Sequence, residues 1–268
     1  MRSFTNFVLE YETQIRLAAF FGILCIMAAW EFARPGLRQI LPRLKRWPGN
    51  LGIVVLDSVA VRLVFPVLPV GVAAWAVGEG WGLFNALAAP GWLALVASVI
   101  VLDLAIYAQH VMFHKVPVLW RLHRMHHADQ AIDVTTGARF HPIEILLSIV
   151  IKMAVVVLIG APAAAVVVFE VLLNGTAMFN HANVRLPGWL DRALRLVIVT
   201  PDMHRVHHSW LRRETDSNYG FNLSWWDRLF GTYIAQPSAG HEGMTIGLET
   251  FREAGEQRLD RMLTQPFR

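Results

Sequence analysis

The sequence is poor in cysteine and in charged residues. Its 268 residues include a single cysteine, Cys25, so neither a disulfide within the chain nor a cysteine-ligated metal site is expected. Charged residues make up 16% of the chain, whereas about a quarter is usual for a soluble domain. The sequence also lacks HExxH and GxGxxG, which argues against a zinc protease of that type and against a dinucleotide-binding domain.

The positive net charge does not point to a nucleic-acid partner. The chain carries a net charge of +4 and has an isoelectric point near 9.6. A nucleic-acid-binding protein would present such charge on one face of a soluble module, and the sequence contains no such module. We attribute the excess to Lys and Arg residues that flank membrane spans on the cytoplasmic side.

Long apolar runs dominate the sequence. Hydrophobic residues make up 55% of it, and about 20 apolar residues in a row are enough for a helix to cross a bilayer. Five spans are predicted, at about Ile15–Phe32, Leu51–Val77, Trp92–Phe113, Ile143–Ile159 and Ala161–Phe179. We therefore expect an all-α integral membrane helical bundle that forms one domain over residues 1–268.

The predicted domain has three parts. N-terminal spans occupy residues 1–92, and a histidine-rich region occupies about 103–233. Residues 234–268 form a C-terminal tail, of which residues 249–268 are expected to be a surface helix or a loose segment.

The distribution of basic residues predicts which ends of the spans lie together. A basic cluster at 34–46 follows the first span, whereas the loop Gly78–Gly91 contains no Lys or Arg. Basic residues mark the cytoplasmic side, and the fourth and fifth spans form a hairpin that turns at Gly160. This topology brings residues 110–141 and 181–208, which contain ten of the eleven histidines, to one face of the membrane.

Two charged residues within the hairpin are predicted to pair. Lys152 lies eight residues before Gly160, and Glu170 lies nine residues after Ala161. With the same rise per residue in both helices, the two side chains reach a similar depth. Charges within a span are costly unless they are paired, so we expect a structural ion pair between them.

Three histidine clusters have the spacing of a helical metal site. Residues at i, i+3 and i+4 share one helix face. The clusters are His110-x-x-x-His114, His123-x-x-His126-His127 and His204-x-x-His207-His208. Adjacent helical residues point about 100° apart, so the two members of each adjacent pair either serve different ions or one of them only supports a ligand.

The number of histidines indicates two metal ions. Imidazole suits iron, zinc, copper and nickel, and a closed zinc site needs only four ligands. Ten histidines are too many for one ion, whereas two ions with four or five ligands each fit the count. The candidate ligands are His110, His114, His123, His126, His127, His141, His181, His204, His207 and His208. The remaining histidine, His241, is expected at the surface.

Other segments extend the pattern. They are Arg139-Phe-His-Pro-Ile-Glu144, Asn180-His181-Ala-Asn183, Glu214-x-Asp216-x-Asn218-Tyr219-Gly220 and Trp225-Trp-Asp-Arg-Leu-Phe-Gly-Thr-Tyr233. Together with the three clusters, they resemble the fatty acid hydroxylase and sterol desaturase superfamily of membrane non-haem di-iron enzymes. The resemblance covers about Asp103 to Tyr233, roughly half of the chain.

The resemblance implies a function. It implies a helical bundle with a cytosolic helical cap over two iron ions, for which zinc can substitute in purified protein. It also implies that O2 is the co-substrate, that a membrane lipid is hydroxylated at a C–H bond and that a separate protein donates electrons. The expected location is the bacterial inner membrane, with the histidine site on the cytoplasmic side.

Alternatives remain open at this stage. Lipid or sterol desaturation would use the same site, while a divalent-metal transporter, a membrane haem protein with bis-histidine ligation and a di-metal lipid hydrolase belong to other classes. Roles for several neighbouring residues are also open. Glu144 is expected to orient an imidazole, and Asp129 and Asp133 either support ligands or are solvated. The aromatic residues between Trp225 and Tyr233 form a packing element or an interfacial anchor.

Overall fold

The computed structural model describes residues 2–268, which form a helical protein. The first nine helices are α1 Arg2–Glu10, α2 Glu12–Ala33, α3 Arg43–Val64, α4 Pro69–Gly78, α5 Leu83–Ala86, α6 Gly91–Lys115, α7 Pro117–His127, α8 Pro142–Ile159 and α9 Ala163–His181. Short helices follow: α10 Gly188–Leu194, α11 Pro201–His207, α12 Arg212–Thr215, α13 Trp225–Leu229, α14 Gly240–Gly243 and α15 Leu259–Thr264. Within residues 2–268 the only β pairings are two isolated bridges, so the predicted all-α fold is confirmed.

Five helical stretches are long and apolar enough to cross a membrane, as predicted. They are Glu12–Ala33, Arg43–Ala86, Gly91–Lys115, Pro142–Ile159 and Ala163–His181. The last of these, α9, is the most buried and packs in the centre of the bundle against α2, α4 and α6. Its Val166 and Phe169 are fully buried beside Leu102 of α6 and Val156 of α8. This packing fixes the far end of α9, where His181 lies.

The bundle has two distinct ends. At one end, which we call the hairpin end, Gly160 adopts a left-handed conformation with φ of +68° and ends α8. Gly82 packs against it so closely that a Cβ at Gly82 would lie 2.1 Å from the Gly160 nitrogen. The loop Gly78–Gly91 therefore lies at the hairpin end, away from the histidines, as the charge pattern predicts.

At the other end, which we call the histidine end, the basic segment packs against the histidine-rich region. The Gly36 amide donates to the Asn183 carbonyl over 2.7 Å. The carboxylate of Glu31, at the end of α2, accepts from the amides of Val134 and Asn183 at 2.7 and 2.8 Å. The predicted placement of the basic segment and the histidines at one end is therefore confirmed.

The second predicted span, at 51–77, lies within the membrane-crossing stretch Arg43–Ala86, but it is not one continuous helix. The chain forms α3 and α4 instead, separated by an extended segment at residues 65–68. Phe65 and Leu68, with ψ of 107° and 168°, each precede a proline. A residue before proline is driven out of the helical region by the proline ring, and proline has no amide proton to continue the helix.

The predicted ion pair within the hairpin is confirmed. The Lys152 ammonium donates to Glu170 Oε1 over 2.7 Å. The pair has a third member that was not predicted: Arg16 of α2 lies 2.9 Å from Glu170 Oε2. One carboxylate thus joins three helices within the bundle.

Arg46 joins the start of α3 to the loop after the second histidine cluster. It donates to Asp129 over 2.7 and 2.8 Å and to Asp133 over 2.6 Å. All three side chains are completely buried. The open question about Asp129 and Asp133 is therefore resolved, because both acids are buried structural partners and neither is solvated.

The aromatic residues after the last cluster form a packing element. The Trp226 indole donates to Asp103 of α6 over 2.8 Å, and the Phe230 ring stacks on Tyr107 at 5.4 Å between centroids. Trp225 is partly exposed, but its indole still donates to the Leu196 carbonyl over 2.9 Å. These contacts tie the chain after α11 to the membrane helix that carries His110.

The C-terminal tail is not loose: it forms the short helix α15, which exposes Asp260 and Arg261 and packs on its other side. Met262 of α15 is fully buried against Ile53 and Met125. The Gln257 side chain accepts from Arg139 over 2.6 Å and donates to the Ala128 carbonyl over 3.1 Å. The tail closes the histidine end because it satisfies a buried guanidinium and a buried carbonyl that have few other partners.

Replacement of Arg46 should destabilise the protein strongly. Arg46→Met leaves two buried carboxylates without their cation, a loss that typically costs about 3–5 kcal/mol. Lys45→Met is the matched control, because Lys45 is exposed and such surface changes usually stay within about 0.5 kcal/mol. Denaturant unfolding of the detergent-solubilised variants measures both effects, and equal stability of the two variants would contradict the buried role of Arg46.

Candidate metal centre

The histidine clusters lie on helices that start where the sequence provides start signals. Pro117 and Pro201 occupy the first positions of α7 and α11, where the missing amide proton costs nothing. The Thr200 side chain accepts from the Met203 amide over 3.4 Å and caps α11. Each short helix therefore begins a few residues before its histidines.

Nine of the ten candidate histidines meet at the histidine end and form two groups. The first group is His110, His114, His123, His127 and His207, and the second is His126, His181, His204 and His208. Within each group one ligand atom per residue lies within 4.8 Å of all the others, and every side chain is buried. Nitrogens on opposite sides of one ion lie about 4.2 Å apart, so each group has the dimensions of one metal site.

Both pairs of adjacent histidines are divided between the groups. His127 and His207 lie in the first group, whereas His126 and His208 lie in the second. The angle of about 100° between neighbouring helical residues sends the two rings of a pair to different centres. The second and third clusters each contribute to both groups, which places the two groups side by side.

Hydrogen bonds from Nδ1 orient most of the rings. Four Nδ1 atoms face backbone carbonyls at 2.7 to 3.1 Å, in the pairs His110 with Tyr219, His126 with Arg139, His181 with Ala177 and His207 with Ser217. A carbonyl can only accept, so the proton of each neutral ring is on Nδ1. The Nε2 lone pairs therefore point into the two groups.

Carboxylates orient two further rings. Glu144 Oε1 lies 2.6 Å from His123 Nδ1, which confirms the predicted role of Glu144. Asp216 Oδ1 lies 3.3 Å from His114 Nδ1, a contact that the sequence argument missed because the two residues are 102 positions apart. A carboxylate on the outer nitrogen fixes the ring and strengthens the inner nitrogen as a ligand.

The inward nitrogens of neighbouring rings lie about 3 Å apart. His110 Nε2 lies 3.0 Å from His123 Nε2, and His181 Nε2 lies 3.1 Å from His126 Nε2 and 3.0 Å from His204 Nε2. In the pair of His126 and His181, both Nδ1 atoms face carbonyls and carry the protons, so two Nε2 lone pairs meet and no hydrogen bond forms. Two nitrogens bound at a right angle to one ion lie about 3.0 Å apart, so the arrangement fits a pair of metal ions.

Burial keeps the rings outside the membrane helices neutral. It lowers the pKa of His123 to about 3. Burial, and after it the neighbouring imidazoles, hold the pKa values of five further rings well below 6.5, namely those of His126, His127, His204, His207 and His208. Metal ions bind the neutral form of imidazole, so the site is already in its ligand form at neutral pH.

His141 and His241 lie outside both groups. The ring of His141 is turned away, because its Nδ1 accepts from the Ile143 amide over 3.2 Å and caps α8. Its Nε2 lies 3.3 Å from the Leu263 carbonyl. His241 was expected at the surface, but its ring is mostly covered and lies 4.0 Å from Asp202.

A cavity of about 490 Å³ reaches the first group from within the bundle. It lies between α2, α3, α6, α8 and α9, and its walls include His110 and His123. Apolar side chains such as Phe113, Phe140 and Phe221 surround this end, while Lys152 and Glu170 line it farther toward the hairpin end. The cavity has the size of a small-molecule binding site.

Comparison with known families agrees with the geometry. The family described as Fatty acid hydroxylase matches residues 95–232, about half of the chain and all the histidines of both groups. The chain belongs to the fatty acid hydroxylase family. This confirms the family resemblance carried by the histidine clusters and by the segments around them.

Curated relatives from this family include bacterial and animal proteins. The chain is 32% identical over 154 residues to "Ornithine lipid hydroxylase OlsE" of Rhizobium tropici, which covers 56% of this chain and 45% of that protein. It is 28% identical over 179 residues to "Alkylglycerol monooxygenase" of Homo sapiens, with 65% and 38% covered. It is 24% identical over 237 residues to "Cholesterol 25-hydroxylase" of Rattus norvegicus, with 83% and 70% covered.

The chain thus spans less than half the length of the first two relatives. No solved structure matches the chain.

Acid should destabilise the metal-free protein. The folded rings stay neutral, whereas the same rings take up protons below about pH 6.5 once the chain unfolds. The free energy of unfolding is therefore at its full value above pH 6.5. It falls as the pH decreases toward the folded pKa values, by about 1.4 kcal/mol per pH unit for each such ring. Melting temperatures of chelator-treated protein between pH 7.5 and 5 (roughly the titration range of free histidine) measure this.

His208→Gln removes one of these rings and should make the pH dependence shallower. A melting temperature that does not change over this pH range would show that the cluster is not held neutral by burial.

Proposed function

We propose that this protein is a membrane di-iron oxygenase that hydroxylates a lipid at a C–H bond, using O2 and electrons from a separate donor protein. The observation that carries the proposal is the set of buried Nε2 atoms that face each other at about 3 Å in two adjacent groups. The names of the relatives support it, since they describe hydroxylases and a monooxygenase that act on lipids or sterols.

Nine histidines are proposed as ligands, five for one ion and four for the other. The tenth candidate, His141, is left out because both of its nitrogens already contact the backbone. Two bound iron ions would supply the capacity to activate O2 for oxidation of a C–H bond. Zinc binds the same imidazole donors and would take the place of iron in protein purified without iron.

The protein's own residues position the ligands and keep the site dry. Backbone carbonyls and the carboxylates of Glu144 and Asp216 hold the outer ring nitrogens. Phe113 and Phe221 are buried beside the cavity and exclude water from its histidine end. A lipid that enters between the membrane helices would place a carbon next to His110 and His123, the histidines that line the cavity.

We infer that the histidine end lies on the cytoplasmic side of the bacterial inner membrane. The basic segment that packs at this end supports this orientation, because Lys and Arg accumulate on the cytoplasmic side. Arg121 of α7 and Arg212 and Arg213 of α12 are also exposed. Their positive charge would suit the docking of an acidic electron donor.

Lipid analysis tests the proposed reaction. Expression of the protein in a bacterial host should produce a lipid that is heavier by one oxygen atom than its precursor. His207→Ala, which removes a ligand of the first group, should abolish this product. Mass spectrometry of total lipids measures both results. Loss of two hydrogens from a lipid would identify a desaturase instead, and an unchanged lipid profile in an aerobic host with bound iron would contradict the proposal.

Metal content tests the ligand assignment. The intact protein should bind two ions per chain, and His204→Ala should lower the affinity for one of them because it removes one of only four ligands in its group. Loss of a ligand or of its support typically costs at least 10-fold in affinity. His141→Ala is the matched control and should still bind two ions. Elemental analysis after dialysis measures this, and equal metal loss in the two variants would contradict the assignment.

A further inference from the structure

Hydrogen-bond acceptors without donors line the cavity beside the histidines. Asp57 of α3 makes no hydrogen bond or ion pair to any residue in the described part of the chain, and its Oδ1 is buried. Glu144 uses Oε1 for His123, which leaves its Oε2 buried without a partner. Gln109 donates to Ser148 over 3.1 Å, which leaves its Oε1 buried without a partner.

These three side chains come from three helices and line one cavity. Asp57 is 8% exposed and Glu144 is 4% exposed, although both line the same cavity. Buried carboxylates are costly without a cation or a hydrogen-bond donor. Most buried polar groups in proteins have a partner, so a shared set of unpartnered acceptors indicates a ligand that provides donors.

The basic residues of the cavity do not supply the missing donor. Lys152 and Arg16 both contact Glu170, at 2.7 and 2.9 Å, and Arg16 also pairs with Glu12. Arg62 lies on the same helix as Asp57 but is exposed, and five residues along a helix place it about 140° away. Glu170, in the part of the cavity far from the histidines, therefore has Lys and Arg partners, whereas the carboxylates of Asp57 and Glu144 have none within residues 2–268.

We propose that the substrate is a lipid whose headgroup carries a primary ammonium group, which binds between Asp57, Glu144 and Gln109. This inference rests on the proposed function and names the class of its substrate. A primary ammonium has three donors and a positive charge, which match three acceptors, two of them acidic. A quaternary ammonium has no donor, and a phosphate or sugar hydroxyl would leave the acidic charge uncompensated.

The position of these acceptors orients the lipid. Gln109 precedes His110 in α6, and Glu144 bonds directly to His123. An ammonium group held here brings the carbons of the headgroup next to these rings. The acyl chain would then extend along the apolar walls formed by residues such as Phe20 and Leu173. The headgroup end of the lipid is therefore the part that faces the histidines.

Binding of two matched probes to the purified, metal-loaded full chain tests the proposal. The first is N-dodecanoyl-1,4-diaminobutane, which has a primary ammonium, and the second is its N′-acetylated form, which is neutral. The ammonium probe should bind at least about tenfold more tightly, the size expected for a charge-assisted contact. Asp57→Asn keeps the shape of the side chain and should reduce this preference to about threefold or less.

Glu12→Gln is the matched control. Glu12 also lines the cavity, but it is paired with Arg16, so its replacement should preserve the preference for the ammonium probe. Metal content and melting temperature of each variant show that it is folded. Equal binding of both probes by the intact protein, or an unchanged preference in Asp57→Asn, would overturn the proposal.

Two further measurements distinguish failure of the ammonium site from failure of the proposed function. 1,4-Diaminobutane without an acyl chain should bind far more weakly than the lipid probe, and equal binding would show that the ligand is a free amine. If lipids without an amine are hydroxylated as well as lipids with one, the substrate class is wrong while the proposed function stands. If the Asp57-dependent preference is present but no lipid gains oxygen, the ammonium site stands while the proposed function fails.

Discussion

The two groups of histidines depend on hydrogen bonds that hold the outer nitrogens of their rings. Carbonyls of residues such as Tyr219 and Ser217, and the carboxylate of Glu144, accept from Nδ1. Each such bond fixes the tautomer and the ring plane, and together they bring lone pairs to about 3 Å from one another. Because that contact is repulsive without a cation, the rest of the fold must stabilise a site that is preorganised for metal.

The fold provides that stability from three directions. α9 is packed on most sides and carries His181, while Asp103 ties the chain after α11 to α6 through Trp226. Arg46 holds the loop after α7 with two buried acids. Buried charges of this kind stabilise little on their own but are costly to break. They make the positions of the histidines depend on one another, so that no single cluster can move alone.

The sequence predicted the helices of the site better than the segments around it. Histidines at i, i+3 and i+4 require only helix geometry, and nine of ten meet as that geometry suggests. His141 lies in the same segment as Glu144, yet its ring caps a helix and does not join the metal site. His141 precedes the helix, so helical spacing does not predict the direction of its side chain. The break at Pro66 and the buried tail at Met262 were missed, because apolar composition alone does not reveal a bend or a covering contact.

The sequence alone determined the class of protein, the two ends of the bundle and the residues able to bind metal, because hydropathy, basic residues and helical spacing are local properties of the chain. Only the tertiary structure decided which histidine joins which group and which acceptor holds its outer nitrogen. It also showed that Asp57 faces the cavity without a partner. These features connect residues that are dozens of positions apart, and packing rather than local sequence sets their distance and direction.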